Sequence, residues 1–446
     1  MTGTVQPGLG APTTARHVVV VSCDSHVGPR LNEQLRPYCP SKYLEAFDGF
    51  VERYKAEQAA MVARFGGDEV LDILAAHPNL RTAGHHDVHA RLRDMDRDGV
   101  AAEVIYHFST NGEPFPFVLN FAGGLANDPL DFELGAVGYH LYNQWLADFC
   151  SVEPERHVGL AYLPTWDIEA ATREVEWARD AGLRAVNFPP PGRPGHLPYN
   201  HPDWDPFWSA CEALGMCLNT HSSGAQPIDY ESGPGGTDLI IYEGGGWLSR
   251  RAVWWLIHGQ VFERHPRLKL VITEQYEGWW LPTMRELDAV YTRFGTSFGR
   301  QPLPKRPSEY MMSNVFLGAS FMSTFQAEEA WREGYATNVF WGRDYPHAEG
   351  TYLYTEDPEE EPITRVALRH VFSRVPTPEA LLMAGGNAVR AFGLDGDALA
   401  HVAARIGALT PDELATRPES LPAVPSSSNA FRGQAGPRPE EPLIAR

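Results

Sequence analysis

Short runs of β-branched and apolar residues alternate along this chain with longer stretches whose apolar positions recur at helical spacing. The runs fall at 17–23, 101–106, 157–162, 184–188, 216–220, 268–273, 314–318 and 338–342. Helices are predicted over 88–98, 133–151, 168–181, 203–214, 248–264, 279–292, 324–335 and 363–373. Repeated β-then-α units in this order predict an α/β fold, a closed (β/α)8 TIM barrel. An open doubly wound sheet fits less well, because no glycine-rich dinucleotide turn follows the first run.

Insertions after strands 1 and 5 break the alternation. The first, 27–87, carries a helix near 41–65; the second, 222–247, holds Gly-Pro-Gly-Gly and Gly-Gly-Gly close together. Long loops on the chemical face of a barrel shape or cover its pocket. The chain thus divides into a flexible N-terminus over 1–16, a barrel over 17–409, and a Pro/Ser-rich C-terminal tail over 410–446 expected to be largely disordered.

Composition narrows the class. The 446 residues include 37 Lys+Arg against 57 Asp+Glu, a formal net charge of −20. That balance argues against nucleic-acid binding, which needs a basic footprint. Cys23, Cys39, Cys150, Cys211 and Cys217 are odd in number and lack close-paired spacing. They suit a reducing cytosol, so a cytoplasmic location is expected. No apolar leader opens the chain and no stretch reaches membrane-spanning length, so no membrane partner is expected.

Residues two apart on a strand share a side. The first run, Val18-Val19-Val20-Val21-Ser22-Cys23, ends in Asp24-Ser25-His26, so Asp24 and His26 face one way. In a parallel barrel that end opens onto the face where such barrels do chemistry. Alone, the pair is an ordinary strand end whose polar residues cap the next turn. What raises it is that His221 ends the fifth run and Asp344 the eighth. Together the four would hold one divalent metal ion; imidazole with carboxylate suits Zn, with Mn as the alternative. Glu274 ends the sixth run and faces the same centre as a fifth ligand, a general acid/base or an orienter of a histidine. Its structural alternative is a salt bridge to Arg250 or Arg251. His347, three residues past Asp344, either orients substrate or caps its loop. His258, the group His85, His86 and His89, Arg81, and the pairs Trp254-Trp255 and Trp279-Trp280 are expected to serve packing or the surface.

Taken in order, several of these pieces resemble one family. They are Asp24-Ser25-His26, Arg91-Leu92-Arg93-Asp94-Met95-Asp96-Arg97-Asp98-Gly99-Val100, Asn219-Thr220-His221 and Phe262-Glu263-Arg264-His265-Pro266-Arg267-Leu268-Lys269. Gly278-Trp279-Trp280-Leu281-Pro282, Gly342-Arg343-Asp344-Tyr345-Pro346-His347 and Gly386-Asn387-Ala388-Val389-Arg390-Ala391-Phe392 complete the set. Over roughly 17–395 the chain resembles the amidohydrolase-superfamily group named for aminocarboxymuconate semialdehyde decarboxylase. The resemblance implies a distorted TIM barrel with one divalent ion, usually Zn or Mn, and cleavage of C–C bonds by decarboxylation or hydrolysis. It places the first-strand ligands on Asp24 and His26, where many members have His-x-His and some an acid first. It places the fifth-strand ligand on His221 and the ligand and proton acceptor on Asp344. Members often pair, so the resemblance admits a homodimer.

One departure shapes the functional expectation. Decarboxylases of this group often carry a histidine at the end of strand six, and this chain has Glu274. An ionised carboxylate only accepts hydrogen bonds and repels an anionic substrate across a dry pocket. The expectation is therefore a metal-dependent hydrolase, activating water at a polarised carbonyl of a small aromatic or conjugated substrate. Asp344 would shuttle the proton, assisted by Glu274 and His347. The alternatives are a non-oxidative decarboxylase of a small aromatic or unsaturated acid, or a biosynthetic cyclase on the same metal site. A non-catalytic barrel is disfavoured, because all four strand-end positions hold competent side chains.

Overall fold

In this computed structural model, residues 16–64, 77–118, 131–192, 195–221, 239–276, 278–294 and 302–431 are described. The eight predicted strands are all present. They are β1 (Val21–Ser22), β2 (Ala102–Ile105), β3 (His157–Tyr162), β4 (Ala185–Asn187), β5 (Cys217–Thr220), β6 (Leu270–Ile272), β7 (Val315–Ala319) and β8 (Val339–Trp341). Each pairs in parallel with the next in one eight-stranded sheet, ordered as in the chain. The ring closes through residues just past the strands. Cys23 N–H donates to Trp341 O at 2.9 Å, Asp344 N–H to Asp24 O at 3.1 Å, and Ser25 bridges Tyr345 in parallel. Gly342 permits that approach, since a Cβ there would lie 2.9 Å from Cys23 Sγ and 3.1 Å from Asp24 Cβ.

Alternation along the strands sorts side chains into two layers. Val21, Ala102, Val104, Val158, Leu160, Cys217, Val271 and Phe340 fill the barrel interior. Their neighbours Val20, Ile105, Ala161, Leu218, Ile272, Val339 and Trp341 pack outward against the helices. Because both faces are covered, the strands read as continuous apolar runs rather than as alternating ones.

The helices follow the predicted order. After β1 come α1 (Leu44–Arg64), inside the first insertion, and α2 (Val88–Asp98). Asp87 caps α2 by accepting from Ala90 N–H at 2.7 Å, and Gly99 ends it at φ +78°, a left-handed turn that favours glycine. Next are α3 (Phe132–Cys150), α4 (Ile168–Asp180) and α5 (Asp205–Leu214). The predicted helix over 248–264 is instead two, α6 (Arg251–His258) and α7 (Val261–Arg264), split where Gln260 takes φ +58°. Then follow α8 (Trp280–Phe294), α9 (Pro307–Asn314), which the pattern did not predict, α10 (Thr324–Arg332) and α11 (Ile363–Phe372). Among the described residues no helix is long and apolar enough to cross a membrane.

Of the second insertion, Ile240–Leu248 forms a π-helical turn, and 222–238 lie outside the described residues. The N-terminal segment is outside them as far as residue 15, and the tail from residue 432. Before that point the tail returns to the barrel. Ala430 is buried against Ile363 and Ala367, and Asn429 N–H donates to Glu349 O at 2.8 Å.

Candidate active site

The C-terminal ends of β1, β5, β6 and β8 converge at the barrel mouth. Beyond β1, Asp24 and His26 point inward while Ser25 turns away, its hydroxyl donating to Val104 O at 2.7 Å. His26 Nδ1–H donates to His107 O at 2.6 Å, which turns Nε2 to the centre. There it lies 3.2 Å from both Asp24 Oδ1 and Asp344 Oδ1. His221, past β5, has Nε2 3.5 Å from Asp24 Oδ1 and Nδ1 3.5 Å from Glu274 Oε2. Asp24, His26 and His221 therefore meet as one group, Asp344 joins them through His26, and Glu274 lies beside His221.

The two acids that end β6 and β8 share an unusual backbone. Glu274 has φ +58° and Asp344 has φ +50°, a region that residues other than glycine seldom adopt. Such conformations persist where surrounding structure enforces them, and they gather at functional sites. His347 Nδ1 sits 2.9 Å from Asp344 Oδ1, while Nε2–H donates to Phe108 O at 2.8 Å. Its ring stacks on His26 with centroids 4.0 Å apart. His347 thus joins the acid rather than merely capping the loop.

Positive charge is drawn into this centre. Burial disfavours a charged His26, yet hydrogen bonds to Asp24 and Asp344 override it and push the imidazole up to about 10. Burial likewise opposes, and Asp344 outweighs it, in raising His347 to about 9. Burial also resists ionisation of Asp24, but His221 and His26 hold its carboxyl well below the usual range. Glu274 moves the other way, pushed up by burial and then by the charges of Asp344 and Asp24. The centre is short of positive charge, which a proton or a metal ion can supply.

A second buried network fixes these groups from below. Glu103 on β2 bonds Arg91 through Oε1 and Arg343 Nη2 through Oε2, the latter at 2.9 Å. Arg343 Nη1 reaches Asp98 at 2.7 Å, and Arg91 Nη1 donates to His26 O at 2.7 Å. Arg91, Arg343 and Glu103 are all 0% exposed. They tie α2, β2 and the β8 end to the backbone that presents His26 and Asp344.

Several residues that sequence reasoning set aside prove structural. The Arg250 guanidinium donates to Gln275 Oε1 at 2.7 Å and lies over the Trp279 ring, so it does not neutralise Glu274. Arg81 pairs with Glu356 at the surface. His85 is held by Ser109 Oγ at 2.6 Å and Asn79 O at 3.1 Å. Others were missed. Ser320, one residue past β7, donates its hydroxyl to Asp24 Oδ2. Glu349 brings a carboxylate near Glu274 and Asp344. Tyr106, one past β2, sets its ring 4.9 Å from that of His221 and shares a 2.6 Å hydrogen bond with Thr273 Oγ1. The strand-end rule applied to every strand would have found Ser320 and Tyr106; Glu349 lies too far along its loop for that rule.

A family model described as amidohydrolase matches residues 85–394. A gamma-resorcylate decarboxylase from Rhizobium sp. (strain MTP-10005) is 31% identical over 157 residues, 32% of this chain and 45% of that protein. The chain thus spans about half the length of this curated relative. The crystal structure of a 5-carboxyvanillate decarboxylase from Sphingomonas paucimobilis covers 85% of this chain and 100% of its own, with a TM-score of 0.55 and 22% identity. A 5-carboxyvanillate decarboxylase from Novosphingobium aromaticivorans, complexed with manganese and 4-hydroxy-3-methoxy-5-nitrobenzoic acid, covers 84% and 96%, with a TM-score of 0.57 and 18% identity. At these identities the two structures establish the fold. The relatives are decarboxylases, which overturns the expectation of a hydrolase. That expectation treated Glu274 as an isolated anion facing an anionic substrate. In the fold it lies 3.5 Å from the His221 imidazole, and burial with the charges of Asp344 and Asp24 disfavours the anionic form that the expectation assumed.

Proposed function

From the premise that the chain belongs to the amidohydrolase family, we propose that it catalyses metal-dependent, non-oxidative decarboxylation of a small hydroxylated aromatic acid. The observation that carries this reading is the set of unsatisfied donor atoms at the barrel mouth. Asp344 Oδ2 is buried without a hydrogen-bond partner, and Asp24 Oδ1 and Asp344 Oδ1 are buried facing only imidazole nitrogens. Leaving such atoms unmatched costs roughly 1–3 kcal/mol each, so the set fits a divalent cation. Asp24, His26, His221 and Asp344 would hold it. Two carboxylates with two imidazoles suit manganese or zinc, and manganese is favoured by its presence in the Novosphingobium relative. When bound, the ion supplies positive charge that draws the acid's oxygens and steadies the negative charge developing on them.

The chain's own groups manage the proton. Decarboxylation of an aromatic carboxylate adds one proton at the ring carbon. The bond to the carboxyl group then breaks, its electron pair returns to the ring, and carbon dioxide leaves. The hydrogen-bonded pair Asp344 and His347 holds that proton, 2.9 Å separating Oδ1 from Nδ1. Phe108 O fixes the far side of the imidazole, so the ring exchanges its proton in one direction. Glu274 orients His221. Tyr106 and the stacked His26 and His347 rings wall the centre and limit water.

The test is product analysis with 2,6-dihydroxybenzoate and 5-carboxyvanillate on protein loaded with manganese. The expected result is release of one carbon dioxide per phenol formed, lost on chelation. Turnover of neither acid by metal-loaded protein, or full turnover in chelator, would overturn the reading.

A further inference from the structure

Beside the residues assigned to the first ion lies a second group of donors. One carboxylate oxygen each from Glu274, Asp344 and Glu349 lies within 4.8 Å of the other two. Asp344 also belongs to the neighbouring set with His26 and His347, so it stands between the two groups. Its side chain is 0% exposed, and besides Oδ1, which faces the imidazoles, Oδ2 is buried without a hydrogen-bond partner. Among the described residues, the ion pairs of Glu274 and Asp344 run to His26, His221 and His347, and no lysine or arginine joins them. Three carboxylates this close repel one another unless a proton or a cation offsets their charge.

We propose that Glu274, Asp344 and Glu349 form a second divalent-cation site, sharing Asp344 with the first. Its donors are all oxygen, the chemistry of a hard cation such as Mn(II) or Mg(II) rather than of Zn(II). The loop that brings Glu349 is fastened by the C-terminal segment: Asn429 N–H donates to Glu349 O at 2.8 Å and Ser428 Oγ to Gly350 O at 3.0 Å. The proposal rests on the metal site of the preceding section and gives Glu274 a reason. With a cation beside it, an acid at the end of β6 no longer opposes an anionic substrate. The proton for the ring then resides on His347, the other member of the pair with Asp344.

The experiment loads metal-free full-length protein with MnCl2, counts bound manganese by mass spectrometry, and records the electron paramagnetic resonance spectrum. The expected wild-type result is a second manganese per chain, with an exchange-coupled signal at low temperature. Glu349→Gln should hold one ion and show the six-line spectrum of isolated Mn(II), while Glu349→Asp retains the coupled signal at weaker affinity. A wild-type protein that saturates at one uncoupled ion, with Glu349→Gln indistinguishable from it, overturns the second site. If that singly loaded protein still releases carbon dioxide from the aromatic acids, the proposed function stands without it; a protein that binds no manganese removes both.

Discussion

The barrel buries charge in two places, beneath its mouth and at it, and the two are balanced differently. Beneath, the guanidinium groups of Arg91 and Arg343 face the carboxylates of Glu103 and Asp98. What remains unmatched there is N–H: Arg91 Nη2 and Arg343 Nε, on guanidinium groups centred 4.7 and 4.4 Å from the Tyr345 ring. At the mouth, Asp24, Glu274, Asp344 and Glu349 converge with His26, His221 and His347, and what remains unmatched is chiefly carboxylate oxygen. A guanidinium over an aromatic face is well placed. A buried carboxylate oxygen with no donor calls for a cation. Burial alone does not separate the two clusters, since Arg91, Glu103, Arg343, Asp24 and Asp344 are all 0% exposed. The sign of the leftover atoms does.

Substitutions should therefore divide by cluster, the upper ones acting on rate and the lower ones on stability. The largest effect belongs to Asp344→Asn. An amide neither carries the proton nor ligates as a carboxylate, so decarboxylation should fall about 10²–10⁴-fold. Because the change removes a charge that repels Asp24 as well as one that pairs with His26 and His347, the midpoint of thermal unfolding of the metal-free protein should drop only modestly. Wild-type turnover, or a large loss of stability, would erase the distinction between the clusters.

Glu103→Gln is the counterpart beneath. It leaves two buried guanidinium groups short of their shared carboxylate, and removing one partner of a buried ion pair costs about 3–5 kcal/mol. Urea unfolding monitored by circular dichroism measures this, and a loss below about 1 kcal/mol would place this network with surface pairs instead.

The same glutamate gives a pH test. Burial works against the charged form, but Arg91 and Arg343 outweigh it and hold the carboxyl down at about 2 against an ordinary 4.5. A carboxyl lowered on folding contributes stability that is present above pH 4.5 and lost as pH falls towards 2. The contribution is on the order of 3 kcal/mol. Asp98, pushed up chiefly by burial, subtracts from it. The stability gap between wild type and Glu103→Gln should thus narrow as pH falls through this window, and a constant gap would contradict the assignment.

How far each cluster could be read in the sequence follows from its geometry. Asp24, His26, His221, Glu274 and Asp344 were legible because strand ends in a parallel barrel share one face. Alternation carries His221 and Asp344 inward from Cys217 and Phe340, whereas Asp24, His26 and Glu274 break the parity set by Val21 and Val271 and turn in only because the backbone changes course past the strand. Helix α9 and the break at Gln260 were not, since nothing in the apolar spacing marks them. The Arg91–Glu103–Arg343 network escaped because its partners come from α2, β2 and the β8 end, and Arg343 and Glu103 stand 240 residues apart. Glu349 escaped because it lies on a loop whose path is set by Asp344 at φ +50° and by the returning tail. The hydrolase expectation failed for a related reason. It judged Glu274 by its own charge, and the charges around it are supplied by residues distant in the chain.

Ser320 offers the smallest and most discriminating test of the upper cluster. Its hydroxyl donates to Asp24 Oδ2, leaving Oδ1 as the oxygen that faces His26 and His221. If that bond only satisfies a buried acid, Ser320→Ala should cost stability and leave metal binding alone. If it aims the carboxylate, stability should change little while manganese affinity weakens about 10–100-fold, the usual effect of losing a group that orients a metal ligand. Titrating metal-free protein with manganese, beside a thermal melt of the same sample, separates the two. The aiming role is the expected outcome, because Oδ1 already stands at hydrogen-bond range from imidazole nitrogens and only Oδ2 depends on the serine. A full-affinity Ser320→Ala protein with a depressed melting temperature would move Asp24 from the rate-determining cluster towards the structural one.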